Sequence, residues 1–222
     1  MPTYFNHQFI DFFKELSKNN NTAWFNENKR SFETHVKMPF VKFIEDLITE
    51  MNQLDKSIAI EAKEAITRIN RDIRFSKDKS PYKMHVSAII SAKGKKVKEY
   101  PGLYIELAPD KISVYGGAYM LEKEPLQKTR TYIAKHLKEF DAIIHDKSFV
   151  KLFGSVLGEK NKVLSPEFKA LLEKQPLIAN KNFYYMAEID IENLTSSSLL
   201  KTIMKYCNAG KPLNDFLIKA VG

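Results

Sequence analysis

Apolar residues recur at helical spacing through the first fifty residues of the chain. The first such stripe occupies positions i, i+3, i+4 and i+7 within "NHQFIDFFKEL" and consists of Phe9, Phe12, Phe13 and Leu16. Asn6 is expected to cap this helix, a second helix is expected near Thr22, and Pro39 is expected at or near the start of a third. Residues 1–55 are therefore predicted to form a helical layer.

Residues 58–120 follow a different pattern, which predicts mainly strands. "MHVSAIISA" is rich in β-forming residues, and "GLYIELAPDKISVYGG" alternates with a period of two on either side of a turn from Pro109 to Lys111. Strands that are joined by short turns predict an antiparallel meander. Gly116 and Gly117 at its end indicate a bulge or the close approach of another backbone segment.

Helical periodicity returns over residues 121–222, with one possible strand in "FYYMAEIDI". "EPLQKTRTYIAKHLKEF" carries an apolar stripe with Arg130 in mid-helix, and Gly210 is predicted to end one helix before "KPLNDFLIKAV" forms the last. Helices, then strands, then helices predict an α+β fold. We expect an antiparallel β-sheet, the central meander, packed with N-terminal and C-terminal helices in a single domain, residues 1–222.

Composition restricts the class of protein. The chain has 222 residues, of which 44% are hydrophobic, and this is enough for a sizeable core. Its one cysteine, Cys207, excludes an internal disulfide and fits a reducing compartment. No signal peptide is recognisable, and no apolar run reaches membrane-spanning length. We therefore expect a cytoplasmic protein with no membrane contact.

Positive charge is concentrated in one segment. The formal net charge is +8, and the segment from Arg68 to Lys98 holds ten basic residues against Asp72 and Asp78, which accounts for the whole excess. A local positive field attracts phosphates, nucleic acid or anionic metabolites. A run of lysines alone is more often a solvated surface.

The head of this segment, "RINRDIRFSKDKSPYK", holds three of the five arginines of the chain. Arginine is preferred over lysine where a planar group contacts a carboxylate or phosphate through two hydrogen bonds. If residues 66–75 form a strand, one face is polar and the other, which includes Phe75, is apolar except for Arg71. The residue before Pro81 is restricted to extended geometry, so a loop is expected after the strand.

Two interpretations of this cluster remain open. In the first, Asp72 and Asp78 pair with the arginines and pin the loop. In the second, cations without partners bind an anion, because six cations face two aspartates between residues 68 and 83. The ligand-binding candidates are Arg68, Arg71, Arg74, Lys77, Lys79, Lys83 and Arg130. The catalytic candidates are Asp72 and Asp78, as orienting groups or general base, and Tyr82, as a polar handle.

These residues fit functions of three classes. The favoured one is the binding, with or without turnover, of a small anionic ligand that bears phosphate or carboxylate. The second is nucleic-acid binding along residues 68–98, with Tyr82, Tyr100 and Tyr104 as stacking groups. The third is a structural or partner-binding role, with the arginine motif as a folding element. No metal or cofactor is predicted, because the histidines and the cysteine lack ligand spacing and no nucleotide-binding glycine motif occurs.

Several stretches resemble one protein family. "RINRDIRFSKDKSPYK" looks like the hallmark segment of the family called domain of unknown function 2461, which consists mostly of bacterial conserved hypothetical proteins. "FFKELSKNNNTAWFNENKRSFETHVKMPF", "GLYIELAPDKISVYGGAYM" and "LQKTRTYI" are similar to its other motifs. The resemblance implies a single α+β domain and marks the arginine stretch, Trp24 and Arg130 as motif positions. It implies no particular reaction, because the family has no assigned activity.

Overall fold

The computed structural model describes residues 3–97 and 99–221, so Lys98, the last residue of the predicted basic segment, lies outside it. The strands are β1 (Val86–Ile90), β2 (Gly102–Leu107), β3 (Lys111–Ala118) and β4 (Phe183–Asp190). Within the described residues they form one four-stranded antiparallel sheet in the order β1–β2–β3–β4. The predicted α+β fold is confirmed, including the strand in the C-terminal part of the chain.

Most of the helices precede β1 or follow β3 along the chain. They are α1 (His7–Lys18), α2 (Thr22–Glu27), α3 (Lys29–Phe32), α4 (Met38–Leu54), α5 (Ala62–Ala65), α6 (Lys123–Lys135), α7 (Leu137–Ile144), α8 (Lys147–Phe153), α9 (Pro166–Lys169) and α10 (Leu199–Val221). A π-helical turn, Glu33–Lys37, joins α3 to α4. Among the described residues, no helix combines the length and the apolar character that crossing a membrane requires.

The N-terminal helices form where the apolar spacing predicts them. The side chain of Asn6 caps α1 by accepting a hydrogen bond from the Gln8 N–H at 3.0 Å. The stripe on α1 is buried as predicted: Phe9, Phe12, Phe13 and Leu16. Trp24 is half-buried and its ring lies 5.6 Å from that of Phe12, between centroids, so it belongs to the margin of this core.

Pro39 lies in the first turn of α4, as predicted, although α4 continues the helical run that precedes it. Helical backbone continues from Lys29 through the π-helical turn into α4. Proline has no N–H to donate within a helix. The wider turn accommodates it, because the Met38 N–H donates to the Glu33 carbonyl, five residues back.

The predicted meander is present as β1 to β3. Side chains at alternate positions of β2 are buried, namely Leu103, Ile105 and Leu107. The Ala108 N–H donates to the Lys111 carbonyl at 3.0 Å and closes the turn into β3. The close approach predicted at the end of β3 is also present, since Gly117 has φ +96° and a Cβ there would overlap the Phe183 carbonyl.

Residues of the chain group into two compact units. Unit 1 consists of Met1–Lys95, Tyr104–Val114 and Glu188–Met204, and unit 2 of Lys96–Leu103, Tyr115–Ala187 and Lys205–Gly222. The interior of unit 1 contains edge-on aromatic pairs such as Phe5 with Phe9 and Phe9 with Phe13. The interior of unit 2 includes Ile133, Phe140, Phe149, Phe183 and Phe216.

The prediction that Gly210 ends a helix is wrong. One helix, α10, runs through Gly210 and contains Pro212. A Cβ at position 210 would overlap the phenol oxygen and ring of Tyr185, which is buried. Gly210 therefore serves side-chain packing in unit 2. The stripe that contains Arg130 also divides into two helices, because the helical backbone is interrupted at His136 between α6 and α7.

We expect Gly210→Ala to lower the free energy of unfolding by about 1–3 kcal/mol, because the added methyl group overpacks against Tyr185. This sign is opposite to that of helix propensity, which favours alanine over glycine in a helix interior. Urea unfolding measures the change. Asn208→Ala, at an exposed position of the same helix, is the control and should cost less than about 0.5 kcal/mol. A more stable Gly210→Ala variant would contradict the packing role.

Candidate functional site

Residues 66–75 do not form the strand considered from the sequence. Isolated antiparallel bridges join Ile66 to Ala88 and Asn70 to Tyr82, and the chain then leaves the sheet. The Arg71 N–H donates to the Pro81 carbonyl at 2.8 Å, but Pro81 has no N–H to return the bond. Pairing therefore stops there, and residues 71–81 form a loop, named here the arginine loop.

Asp78 ties the arginine loop to the paired residues at its base, 69–71 and 81–83, named here the neck. One carboxylate oxygen accepts from the Ser80 hydroxyl at 2.7 Å and the Ser80 N–H at 2.9 Å, and the other accepts from Nη1 of Arg71. Arg71 Nη1 also donates to the Ser80 carbonyl at 3.1 Å. The Ser80 hydrogen bonds, followed by Arg71, lower the pKa of Asp78 to about 2. Asp78 is therefore ionised at neutral pH and a weak proton acceptor.

Asp72 pairs with Arg74 on the outer side of the loop. The guanidinium donates from Nε to Oδ1 at 2.9 Å and from Nη2 to Oδ2 at 2.7 Å, a bidentate arrangement. These bonds lower the pKa of Asp72. Both side chains are exposed, so the pair contributes little to stability.

Phe75 points into solvent, contrary to the predicted apolar face. Its side chain is 94% exposed, and the Arg74 guanidinium carbon lies 5.8 Å from the ring centroid. The expected apolar face fails because residues 71–75 are not paired in a sheet, so alternation along the chain no longer assigns side chains to faces. The loop thus holds an aromatic ring outward.

Tyr82 is a core residue of unit 1. It is buried, and its ring stacks on that of Phe25 with centroids 4.0 Å apart and planes 17° apart. The side-chain amide of Asn20 bonds both its N–H, at 3.1 Å, and its carbonyl, at 2.9 Å. Tyr100 and Tyr104, the other predicted stacking groups, are half-buried.

The lysines of the motif have different surroundings. Lys79 donates to the Ile73 carbonyl at 3.0 Å, and Lys83 donates to the Thr67 hydroxyl at 3.2 Å. Lys77 is exposed. Lys79 thereby stabilises the loop, whereas Lys83 belongs to the paired neck.

Arg68 is the motif arginine without a partner. Across residues 3–97 and 99–221, its side chain makes no hydrogen bond or ion pair. Its positive charge helps to lower the pKa of Asp72, but it contributes less than the hydrogen bonds from Arg74. It is exposed and lines a groove of about 930 Å³, named here the Arg68 groove, which belongs wholly to unit 1. The apolar residues of its lining are Phe32, Phe40, Val41, Ile48, Ile60, Ala62, Ile66, Ile69 and Val86.

The Arg68 groove has an excess of positive charge. Its charged lining residues are Lys37, Lys63, Arg68 and Lys95 together with Glu45 and Glu61. Lys37 is neutralised by Glu33 at 2.9 Å, and Lys63 by Glu61 at 2.6 Å. The Lys95 ammonium donates to the carbonyls of Lys63 and Ile66, each at 2.6 Å, and forms no ion pair with any described carboxylate. An ammonium has a third donor, so both Lys95 and Arg68 retain bonding capacity.

Arg130 has a structural place in unit 2. It is 6% exposed, and Nη2 donates to the Ala179 carbonyl at 3.2 Å and the Asn180 carbonyl at 2.9 Å. Burial lowers the pKa of its guanidinium. Nε has no partner among the described residues. Arg130 is not one of the residues that line the Arg68 groove.

A polar cluster that the sequence analysis missed lies on the sheet of unit 1. His85 Nε2 lies 3.4 Å from Glu106 Oε2, and the Tyr104 hydroxyl donates to the same oxygen at 2.9 Å. Burial lowers the pKa of His85, and the negative charge of Glu106 partly offsets this. Tyr104 and Glu106 stand two residues apart in an alternating strand, which places them on one face. No group of three or more potential metal ligands occurs among the described residues.

We expect Asp78→Asn to destabilise the arginine loop at neutral pH and to have less effect in acid. A carboxyl whose pKa is lowered by folding stabilises the folded state above its ordinary pKa of about 4, and this contribution disappears as the pH falls towards about 2. Hydrogen exchange of the Ser80 amide is the local measurement, with the exposed Asp11→Asn as control. Equal protection in wild type and Asp78→Asn at pH 6 would show that the carboxylate does not hold the loop.

Comparison with known proteins identifies the family of this chain. A search of the curated proteins finds no match. The family model described as conserved hypothetical protein, DUF2461, matches residues 8–216, a span that contains the arginine loop, the Arg68 groove and Arg130. The resemblance seen in the sequence motifs is thus confirmed, and the chain belongs to the DUF2461 family of conserved hypothetical proteins.

Proposed function

We propose that this protein binds a small anionic ligand, bearing a phosphate or a carboxylate, in the Arg68 groove. The observation that carries the proposal is the Arg68 guanidinium, which lines the groove and has no partner among the described residues. A guanidinium presents a planar fork of donors that matches the oxygens of both groups. The groove volume of about 930 Å³ lies in the range of small-molecule sites.

The other motif arginines support this assignment by contrast. Arg71 and Arg74 are committed to Asp78 and Asp72, so they serve the loop as a folding element. Arg68 lies outside that network, and Lys95 adds a second positive charge to the same groove. The ligand therefore meets two cations that no carboxylate of the described chain neutralises through an ion pair.

Arg68→Gln should weaken the binding of inorganic phosphate by about tenfold or more, because charge-assisted hydrogen bonds contribute about 1.5–3 kcal/mol. Arg74→Gln is the matched control and should stay within about twofold, since Arg74 is bound to Asp72. Isothermal titration calorimetry at low ionic strength measures both, because salt screens exposed charges.

Removal of a negative charge from the same groove should change the affinity for phosphate in the opposite direction. Glu45 lines the groove, so Glu45→Gln should tighten phosphate binding, whereas Glu173→Gln, an exposed residue outside the groove, should not. Equal affinities for wild type, Arg68→Gln and Glu45→Gln would overturn the proposed function.

Nucleic-acid binding is the second candidate, and the exposure of Phe75 favours it. Tyr82 is buried, so Phe75 replaces it as the aromatic group available for stacking. Lys77 is exposed two residues further along the arginine loop. An exposed ring beside cations is the arrangement by which proteins bind single strands without sequence preference.

If single-stranded nucleic acid binds the arginine loop, Phe75→Ala should weaken its binding by about tenfold, the loss of one stacked base. Fluorescence anisotropy with a labelled oligothymidine at low salt measures this affinity. The melting temperature should not change, because Phe75 is exposed, and Met38→Ala, at another exposed apolar residue, is the control. An affinity that is the same for Phe75→Ala and wild type would exclude the loop as the binding surface.

A further inference from the structure

We infer that the ligand of the Arg68 groove is an amphiphile, with a phosphate or carboxylate head and an apolar body of alkyl or similar character. The inference rests on the proposed function and adds the chemical class of the ligand. Its basis is the composition of the groove, in which a guanidinium without a partner among the described residues and a wall that is half apolar belong to one cavity.

The wall is more apolar than a site for a bare anion requires. Half of the described lining residues are apolar, and several of them are only half-buried: Val41, Ile60, Ile66 and Ile69. Their exposed parts remain in contact with water when the groove is empty of an apolar group. Phosphate alone covers none of this surface, whereas an alkyl chain removes it from water.

The charged residues of the groove determine which sign of charge the ligand head should carry. Glu61 is paired with Lys63, and Glu33 with Lys37. Among the described residues, the groove charges left without an ion pair are therefore those of Arg68, Lys95 and Glu45. Two positive charges against one negative charge favour an anionic head over a cationic one. The apolar wall and this excess of positive charge together match an anionic amphiphile.

A second copy of the chain is a weaker match for this groove. The chain carries a net charge of +8, so two copies repel each other at a cationic face. The volume of about 930 Å³ is that of a small-molecule site. We therefore commit to a small amphiphile.

The test is a calorimetric series with inorganic phosphate and with butyl, hexyl and octyl phosphate, each below its micelle concentration. Burial of methylene groups should raise the affinity by at least tenfold from butyl to octyl phosphate. Octyl glucoside, with the same chain and no charge, should bind at least tenfold more weakly than octyl phosphate. The variants are Arg68→Gln in the head site, and Val41→Thr and Ile60→Thr in the wall.

Each variant changes one part of the expected response. Arg68→Gln should weaken the binding of every phosphate, whereas the wall variants should flatten the dependence of affinity on chain length. Val150→Thr, at an exposed position outside the groove, is the matched control. If Val41→Thr does not fold, Ile60→Thr retains the test, because Ile60 lies outside helices and strands.

The outcomes separate this inference from the proposed function. If phosphate and octyl phosphate bind equally well and both depend on Arg68, the anion site is retained and the inference of an amphiphilic ligand is overturned. No binding of any phosphate would overturn both. Chain-length dependence that persists unchanged in Arg68→Gln and in the wall variants would mean adsorption elsewhere and would also overturn the inference.

Discussion

The ionic hydrogen bonds between Arg71, Asp78 and Ser80 are the constraint on which the candidate site depends. They close the arginine loop on its own neck at the point where Pro81 ends the backbone pairing. Because Asp78 is occupied within the loop, its negative charge is not available to the other motif cations. The Arg74–Asp72 pair completes the arrangement, and Arg68 remains without an ion-pair partner among the described residues. Loop closure and the availability of one arginine are thus consequences of the same pairing.

Local periodicity accounts for the parts of the fold that were predicted correctly. The stripe of α1 and the alternation of β2 are set by burial against a core, and burial produces a regular pattern in sequence. Residues 69–75 imitate such a pattern, but pairing there is ended by the missing N–H of Pro81, a single-residue property that periodicity does not register. The prediction that Gly210 ends a helix was wrong for a similar reason. A glycine that ends a helix and a glycine that makes room for Tyr185 cannot be told apart in the sequence.

The sequence predicts that cations cluster at the candidate site, but it does not predict how their side chains are arranged. Counting charges identifies more cations than aspartates between residues 68 and 83, and that surplus is correct. Which arginine stays unpaired depends on how the loop folds, which the count does not contain. The Arg68 groove draws its lining from residues spread between 32 and 95, so no short motif describes it. The His85–Glu106 contact was missed because it joins β2 to the residue that precedes β1, and only the pairing of these strands brings the two together.

Three of the five arginines in this lysine-rich chain bond in a similar way. Arg71, Arg74 and Arg130 each donate to more than one acceptor from a single guanidinium: carboxylate and carbonyl, both oxygens of one carboxylate, and two carbonyls, respectively. Lys95 and Lys211 also donate to two acceptors each, whereas other lysines pair with a single carboxylate oxygen, as Lys37 does with Glu33. Under the proposed function, the acceptors for the Arg68 guanidinium in the groove are brought by the ligand.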